Sequence, residues 1–302
     1  MSLIEQAVQR LEQLRRAGID VPDVPSPAPA SSAPPAGPAK KQPVQTSQQV
    51  TLDLDALGNA GIVTPSAPRS VVADQFRVIK RPLLTNAKAT GDAAVHHGNL
   101  IMVTSALTGE GKSFTSVNLA MSVAMELDRT VLLVDADVAR PSVLRMLGLP
   151  PAPGLLDVLE GKTDISSVLL KTNIDKLTIL PSGTPHEQAT ELLASDAMRL
   201  LLDDMSRRYA DRIVIFDSPP LLLTTEARVL ASQVGQVVMV VQADKTLQAH
   251  VEHALATIKT CPHINLMLNK AVVDSTGGSH HGYGYGYGYG YGYPRPSEKP
   301  RP

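Results

Sequence analysis

"MVTSALTGEGKSFTS", residues 102–116, decides how this chain folds. The stretch leaves an apolar run, "NLIMVTS" (99–105), passes through two glycines, and enters a segment with helical apolar spacing. A strand that feeds a helix through a glycine-rich turn is the context in which such a loop binds phosphate. Gly109 and Gly111 let the backbone wrap close to phosphate oxygens, Lys112 is placed to reach the β- and γ-phosphates, and the Ser113 hydroxyl suits Mg²⁺. Thr108, Gly109, Glu110, Gly111, Lys112 and Ser113 are therefore the expected nucleotide-binding set. Ala106 stands where the first glycine of G-x-x-x-x-G-K-S is usual. The rival reading, a chance glycine-rich turn, leaves unexplained why strand, Gly-Lys-Ser and helix occur together.

Outward from this loop, apolar strands alternate with helices. "KSFTSVNLAMSVAMEL" reads as a helix with Val117, Ala120, Met121 and Ala124 on one face. "TVLLVDAD", "KLTILPSG", "DRIVIFDSPP", "QVVMVVQAD" and "INLMLNK" read as further strands. Helices are expected over "ATELLASDAMRLLLDDMSRRYA" and "TLQAHVEHALATIKT", and over "SVVADQFRVIKRPLLTNA" up to a disturbance or end near Pro82. Strands that are apolar without alternation are covered on both faces, so the fold expected is α/β, doubly wound around a mostly parallel sheet, over residues 68–274.

Three acidic residues end core strands: Asp135 and Asp137 in "VLLVDADVARPS", and Asp217 in "RIVIFDSPP". In open α/β sheets ligands bind beyond the carboxyl ends of the strands, so all three are expected to converge on the phosphate loop. Asp217 has the position of an aspartate that holds Mg²⁺ directly or through water. Taken singly, each could merely cap the next helix. ATP and Mg²⁺ are the ligands this constellation implies.

The ends of the chain differ from its middle. Residues 1–20 read as a short amphipathic helix, with Leu3, Ile4, Ala7, Val8, Leu11 and Leu14 at helical spacing. It suits loose packing on its own domain or docking to a partner. Residues 21–67, rich in Pro, Ala and Ser, read as a linker. Residues 275–302 hold Tyr283, Tyr285, Tyr287, Tyr289, Tyr291 and Tyr293 in alternation with glycine, six of the seven tyrosines in the protein; the seventh is Tyr209. Glycine at every second position forbids a core there. An adhesive low-complexity segment, an aromatic platform and a bank of hydroxyls for modification all remain.

Composition narrows the choice. Hydrophobic residues make up 43% of 302, enough for one sizeable core. A formal charge of −1 gives no global attraction to nucleic acid or anionic lipid, and no basic cluster accompanies the tail beyond "RPSEKPRP", so nucleic acid is not an expected partner. The lone Cys261 fits a reducing compartment. No apolar run approaches the roughly 20 residues of a membrane span, so a soluble, cytoplasmic protein is expected. His250 and His253 share a helix face but have no third ligand nearby in sequence; His280 and His281 read as tail polarity.

With "SALTGEGKS", "VLLVDADVARPS", "IVIFDSPP" and the terminal tyrosines in place, the sequence over about residues 68–293 resembles the bacterial tyrosine autokinases (BY-kinases) of exopolysaccharide loci. More narrowly, "FRVIKRPLLTNA" and "MSLIEQAVQRLEQLRRAG" resemble the stand-alone autokinases beside exosortase (PEP-CTERM) loci. Related ATPases that partition plasmids or position division machinery carry a second lysine five residues before the loop lysine; Leu107 stands there, which argues against that class. The resemblance implies that the tail is the enzyme's own substrate. It also implies that Lys112 and Ser113 bind phosphate and Mg²⁺, that Asp137 and Asp217 hold the metal sphere, and that Asp135 orients or deprotonates the incoming phenol. Lys112, Asp135 and Asp137 thus form the expected catalytic set. The related D-x-D-x-R pattern is displaced here: Ala139 takes the arginine position and Arg140 follows, which leaves its role open. The family's E-x-x-R-x-x-R self-association motif appears as Asp74, Arg77 and Lys80, an expected oligomer contact unless they are a solvated helix face. Asn269, after the last strand, suits either the adenine edge or a simple turn. Expected partners are further copies of the chain, an inner-membrane polysaccharide chain-length protein that recruits and activates it, and a phosphotyrosine phosphatase.

Overall fold

The central strands carry no polar residue over most of their length, and the fold follows from burying both of their faces. The structure, a computed structural model, describes residues 48–272 apart from Pro68, Tyr209 and Ala210. The amphipathic segment 1–20 and the tyrosine cluster lie outside the described residues, as does most of the expected linker.

Eight strands form one sheet: β1 (Gln48–Val50), β2 (Leu100–Ser105), β3 (Thr130–Asp135), β4 (Leu170–Thr172), β5 (Leu177–Leu180), β6 (Arg212–Asp217), β7 (Gln236–Gln242) and β8 (His263–Asn269), in the order β1-β4-β5-β3-β6-β2-β7-β8. Only the β4–β5 pair is antiparallel. All six residues of β2 are buried. Ile101 and Val103 enter the core on one face of the sheet, Leu100 and Met102 the core on the other.

One face is covered by α2 (Val71–Lys88) and α3 (Lys112–Ala124), the helix that follows the glycine loop. Every residue of α3 from Thr115 to Ala124 is buried, so the expected single apolar face is in fact a helix enclosed all round. The other face is covered by α8 (Asp196–Arg208), α9 (Glu226–Ala231) and α10 (Gln248–Thr257). Shorter helices fill the connections: α1 (Leu54–Asn59), α4 (Val143–Met146), α5 (Leu155–Leu159), α6 (Ile165–Val168) and α7 (Ala189–Leu193).

Several expectations are corrected. The folded domain starts near Gln48, not 68. β1 pairs with β4, Asp53 caps α1 by accepting from Ala56 N at 2.9 Å, and Leu52, Leu57, Ile62 and Val63 are buried. Pro82 neither ends nor breaks α2. It lies on the exposed side, and Val78, whose carbonyl loses its usual donor, is 73% exposed, so water can replace the bond. The one helix expected from Ala189 onward is two, Ala189–Leu193 and Asp196–Arg208, because Ser195 Oγ accepts from Met198 N at 3.3 Å and starts α8 afresh.

Candidate nucleotide site

The sheet register builds the site. Asp135 and Asp217 are direct partners at the carboxyl ends of β3 and β6, and Val103, just before the glycine loop, pairs with Asp217 on the other side. The loop then turns through Gly109 (φ 82°) and Gly111 (φ 101°), a left-handed backbone that glycine adopts without strain. Gly111 has a second constraint: a Cβ there would lie 2.1 Å from Asn269 Nδ2. Ala106 needs no positive φ, which explains how it replaces a glycine. Lys112 opens α3, so the helix N-terminus and its free amides face whatever the loop encloses.

A cavity of about 560 Å³ opens over this loop. Of the residues expected to bind nucleotide, Thr108, Gly109, Gly111, Lys112 and Ser113 line it, together with Asp137. Lys112 Nζ is ion-paired with Asp137 Oδ2, and Asp137 Oδ1 accepts from Arg140 N at 3.2 Å. Arg140 and Arg145 also line the cavity, with Phe114, Met146, Pro220 and Leu223 as its apolar walls. Arg145, Met146 and Leu223 had no sequence signal, because they come from a short helix and a loop that only the fold brings to the site.

Asp217 and Asp135 lie beneath this lining, 0% and 1% exposed. Asp217 Oδ1 accepts from Ser116 Oγ at 3.1 Å. Burial pushes its carboxyl up to about 6, against the opposing charge of Lys112 and hydrogen bonds from Ser113 and Ser116. Asp135 Oδ2 accepts from the amides of Ser142 and Val143, both at 3.0 Å, and so caps the turn that starts α4. Burial, and after it the charge of Asp217, push the Asp135 carboxyl up to about 7. Asp135 thus has the helix-capping role that any strand-end aspartate offers. Its other oxygen, Oδ1, and Asp217 Oδ2 are buried without a hydrogen-bond partner.

The orphan oxygen of Asp217 is the observation that fits a cation. Ser113, Asp137 and Asp217 offer hard oxygen ligands of the kind Mg²⁺ takes, and that ion usually keeps waters and shares substrate phosphates instead of filling an all-protein cage. Among the described residues no group of three His, Cys, Asp or Glu side chains makes a metal cage by itself.

Three expected residues sit differently from their expected roles. Glu110 turns its side chain inward, 3% exposed, and does not line the cavity. Asn269 is the last residue of β8, and its Nδ2 donates to Glu110 O at 2.9 Å, so its amide is engaged with the loop backbone, not held out for a base. Lys80 is not an exposed contact residue: it is 3% exposed, with Nζ 2.7 Å from Glu126 Oε1 and 2.5 Å from Ser122 O. Asp74 and Arg77 do lie toward solvent on α2, paired with each other. Thr246 and Lys270, which sequence reasoning passed over, reach the loop from the ends of β7 and β8.

Sheet, loop and strand-end acids define a P-loop nucleotide-binding protein of the doubly wound class. The model of a family described as "AAA domain" matches residues 98–272. The tyrosine-protein kinase YwqD of Bacillus subtilis is 32% identical over 201 residues, covering 66% of this chain and 81% of YwqD. The tyrosine-protein kinase wzc of Salmonella typhi is 31% identical over 187 residues, which are 61% of this chain but 26% of that longer protein. The kinase domain of the Escherichia coli tyrosine kinase ETK shares the fold, with a TM-score of 0.59 at 23% identity over 82% of this chain and 90% of that domain. The chain belongs to the bacterial tyrosine-protein kinases and carries their AAA-type P-loop domain.

Proposed function

We propose that this chain is an ATP- and Mg²⁺-dependent autokinase that phosphorylates its own C-terminal tyrosines, Tyr283 to Tyr293. The observation that carries the reading is the cavity over the P-loop, with Lys112 and Asp137 in its wall and two unpartnered carboxylate oxygens beneath it. In the transfer a tyrosine phenol oxygen bonds to the γ-phosphorus of ATP, the bond from that phosphorus to the β,γ-bridging oxygen breaks, ADP leaves, and the phenol proton is released. Lys112 and the α3 N-terminus supply positive charge to the phosphates. Mg²⁺, when bound through Ser113, Asp137 and Asp217, would neutralise charge on the β- and γ-oxygens. Asp135 is the group assigned to receive or steer the phenol proton; in a loose transition state full prior deprotonation of a phenol with a pKa near 10 is unnecessary.

The chain itself provides the acceptor. From Asn269 to Tyr283 is 14 residues, which extended span up to roughly 45–50 Å, enough to reach a neighbouring copy's site. The apolar walls at Met146, Pro220 and Leu223 suit a phenol ring, and glycine on either side of each tyrosine leaves the ring free to enter. Self-association through the Asp74–Arg77 face of α2 would bring tails and sites together. Regulation of exopolysaccharide synthesis or export, through an inner-membrane chain-length protein and opposed by a phosphotyrosine phosphatase, completes the reading and rests on the family resemblance.

Mass spectrometry of tail peptides from the purified full chain, with and without Mg-ATP, tests it. Phosphate on the tail tyrosines only with Mg-ATP is expected. A protein that hydrolyses ATP and leaves every tyrosine unmodified would make it a switch ATPase instead.

A further inference from the structure

A carboxyl group has the wrong charge for a phosphate-binding loop, yet Glu110 sits in the middle of one. Its side chain is folded away from the cavity and bonded at both oxygens. Oε2 accepts from Leu107 N at 2.7 Å, closing the loop on itself, and Oε1 accepts from the Thr246 hydroxyl. That hydroxyl in turn accepts from Gln242 N at 3.1 Å, which fixes its proton on the Glu110 side. Two further bonds reach the same turn from the end of β8: Asn269 Nδ2 to Glu110 O at 2.9 Å, and Lys270 Nζ to Gly109 O at 2.6 Å. Thr246 follows β7, Asn269 ends β8 and Lys270 follows it, and β7 and β8 are neighbouring parallel strands.

We infer that Glu110 is a positioning residue for nucleotide binding, clipping the phosphate loop in its open, anion-accepting shape to the ends of β7 and β8. The inference deepens the nucleotide-site part of the proposed function and rests on it. A glycine-rich loop left to itself loses conformational freedom when phosphate binds, and that loss weakens affinity. A loop already held by three bonds from outside and one across itself loses less. The clip also explains the close approach at Gly111, where only the absence of a side chain lets Asn269 reach the loop. Because Asn269 and Lys270 directly precede the C-terminal segment, the strand that leads to the tyrosines is fastened to the loop that handles the phosphate.

The test is calorimetric binding of Mg-ADP to the full-length protein, which needs no tyrosine chemistry. Glu110→Ala removes two bonds and should weaken binding by about ten- to thirtyfold. Thr246→Val, nearly isosteric and half-buried, should weaken it by about three- to tenfold. Glu110→Gln retains one acceptor for Leu107 N but turns an amide donor toward the Thr246 proton, so it should lose about as much as Thr246→Val and less than Glu110→Ala. The double variant Glu110→Ala/Thr246→Val should fall short of the sum of the single effects, because both cut the bond between the two side chains. In the transfer assay the KM for ATP should rise in parallel while kcat holds, as expected when binding common to ground and transition states is lost. Wild-type affinity in both Thr246→Val and Glu110→Ala, additive effects in the double variant, or a Gln variant as weak as Ala would overturn the inference. If Glu110→Ala does not fold, Thr246→Val carries the test alone. A wild-type chain that binds no Mg-ADP overturns the clip and the nucleotide site together. One that binds Mg-ADP and forms no phosphotyrosine overturns only the kinase reading.

Discussion

Lys80 Nζ lies 2.7 Å from Glu126 Oε1, with the lysine side chain 4% exposed and the glutamate 26%. The pair closes the seam between α2 and the end of α3, where Lys80 also donates to Ser122 O. The Lys80 hydrogen bond, assisted by the charges of Lys80, Arg81 and Lys88 and opposed by burial, holds the Glu126 carboxyl below its usual 4.5. A depressed folded-state value means the pair adds stability above pH 4.5 and loses it as pH falls through the depressed value. Glu126→Gln should therefore destabilise the protein by about 1.5–3 kcal/mol at pH 7, and by less at pH 4. Urea denaturation at the two pH values measures this; a difference undiminished at pH 4 would remove the charge pair as its source.

Lys80 also shows what the sequence conceals. It falls on the stripe Ala73, Phe76, Lys80, Leu83, Leu84, the buried positions of α2, at helical spacing. That register was available as a signal, but a charged residue in a motif-like spacing reads as surface. The inner strands of the sheet were legible because long unalternating apolar runs leave little else to be. β1 and β4 were not, since three residues each, mostly polar or exposed, carry no periodicity. The P-loop and its three aspartates were legible from residue type and strand position. Their division was not: which carboxylate lines the cavity, which caps a turn and which lies beneath it depend on side-chain directions beyond the strand ends. Glu110 was counted with the loop by its place in the sequence, and nothing local shows that Thr246, over a hundred residues later, receives its side chain.

Lys112→Met should reduce tail phosphorylation by at least about a hundredfold, the scale of losing one group that stabilises transition-state charge. The fold should survive, because Lys112 heads α3 and packs into neither core cluster. Asp137 loses its ion-pair partner but keeps the Arg140 amide. Phosphopeptide quantification beside circular dichroism checks both halves. Phosphate incorporation near wild type would take the loop out of the mechanism.

Asp217→Asn and Asp135→Asn should differ. Asp217 sits under Ser113 and Ser116 at the head of α3 and holds one unpartnered oxygen. Its loss should weaken Mg-nucleotide binding and transfer together. Asp135 is tied to the Ser142 and Val143 amides that start α4, so its substitution should spare nucleotide affinity more than transfer. Calorimetry and single-turnover transfer separate the two. Identical defects in both measurements would mean that the carboxylates share one role.

The last prediction concerns the tail and assembly. Each phosphotyrosine adds about −1.5 to −2 charges near pH 7, so six add roughly −9 to −12 to a chain whose formal charge is −1. The cavity wall offers Lys112, Arg140 and Arg145 against Asp137, a local surplus of cations that would favour a single phosphate. Three cations cannot balance six phosphates, so the excess on each tail faces the excess on its neighbours. If unphosphorylated tails help hold an oligomer by resting in adjoining sites, full phosphorylation should dissociate it. Repulsion of this kind is screened beyond about 8 Å at 0.15 M salt and about 3 Å at 1 M, so dissociation should be pronounced at low salt and reduced at 1 M. Light scattering of the fully phosphorylated and the phosphatase-treated protein, at matched concentration, reads both effects. Equal masses for the two forms at low salt would refute the switch even with the kinase activity intact, and dissociation indifferent to salt would show that a shape change, not charge, drives it.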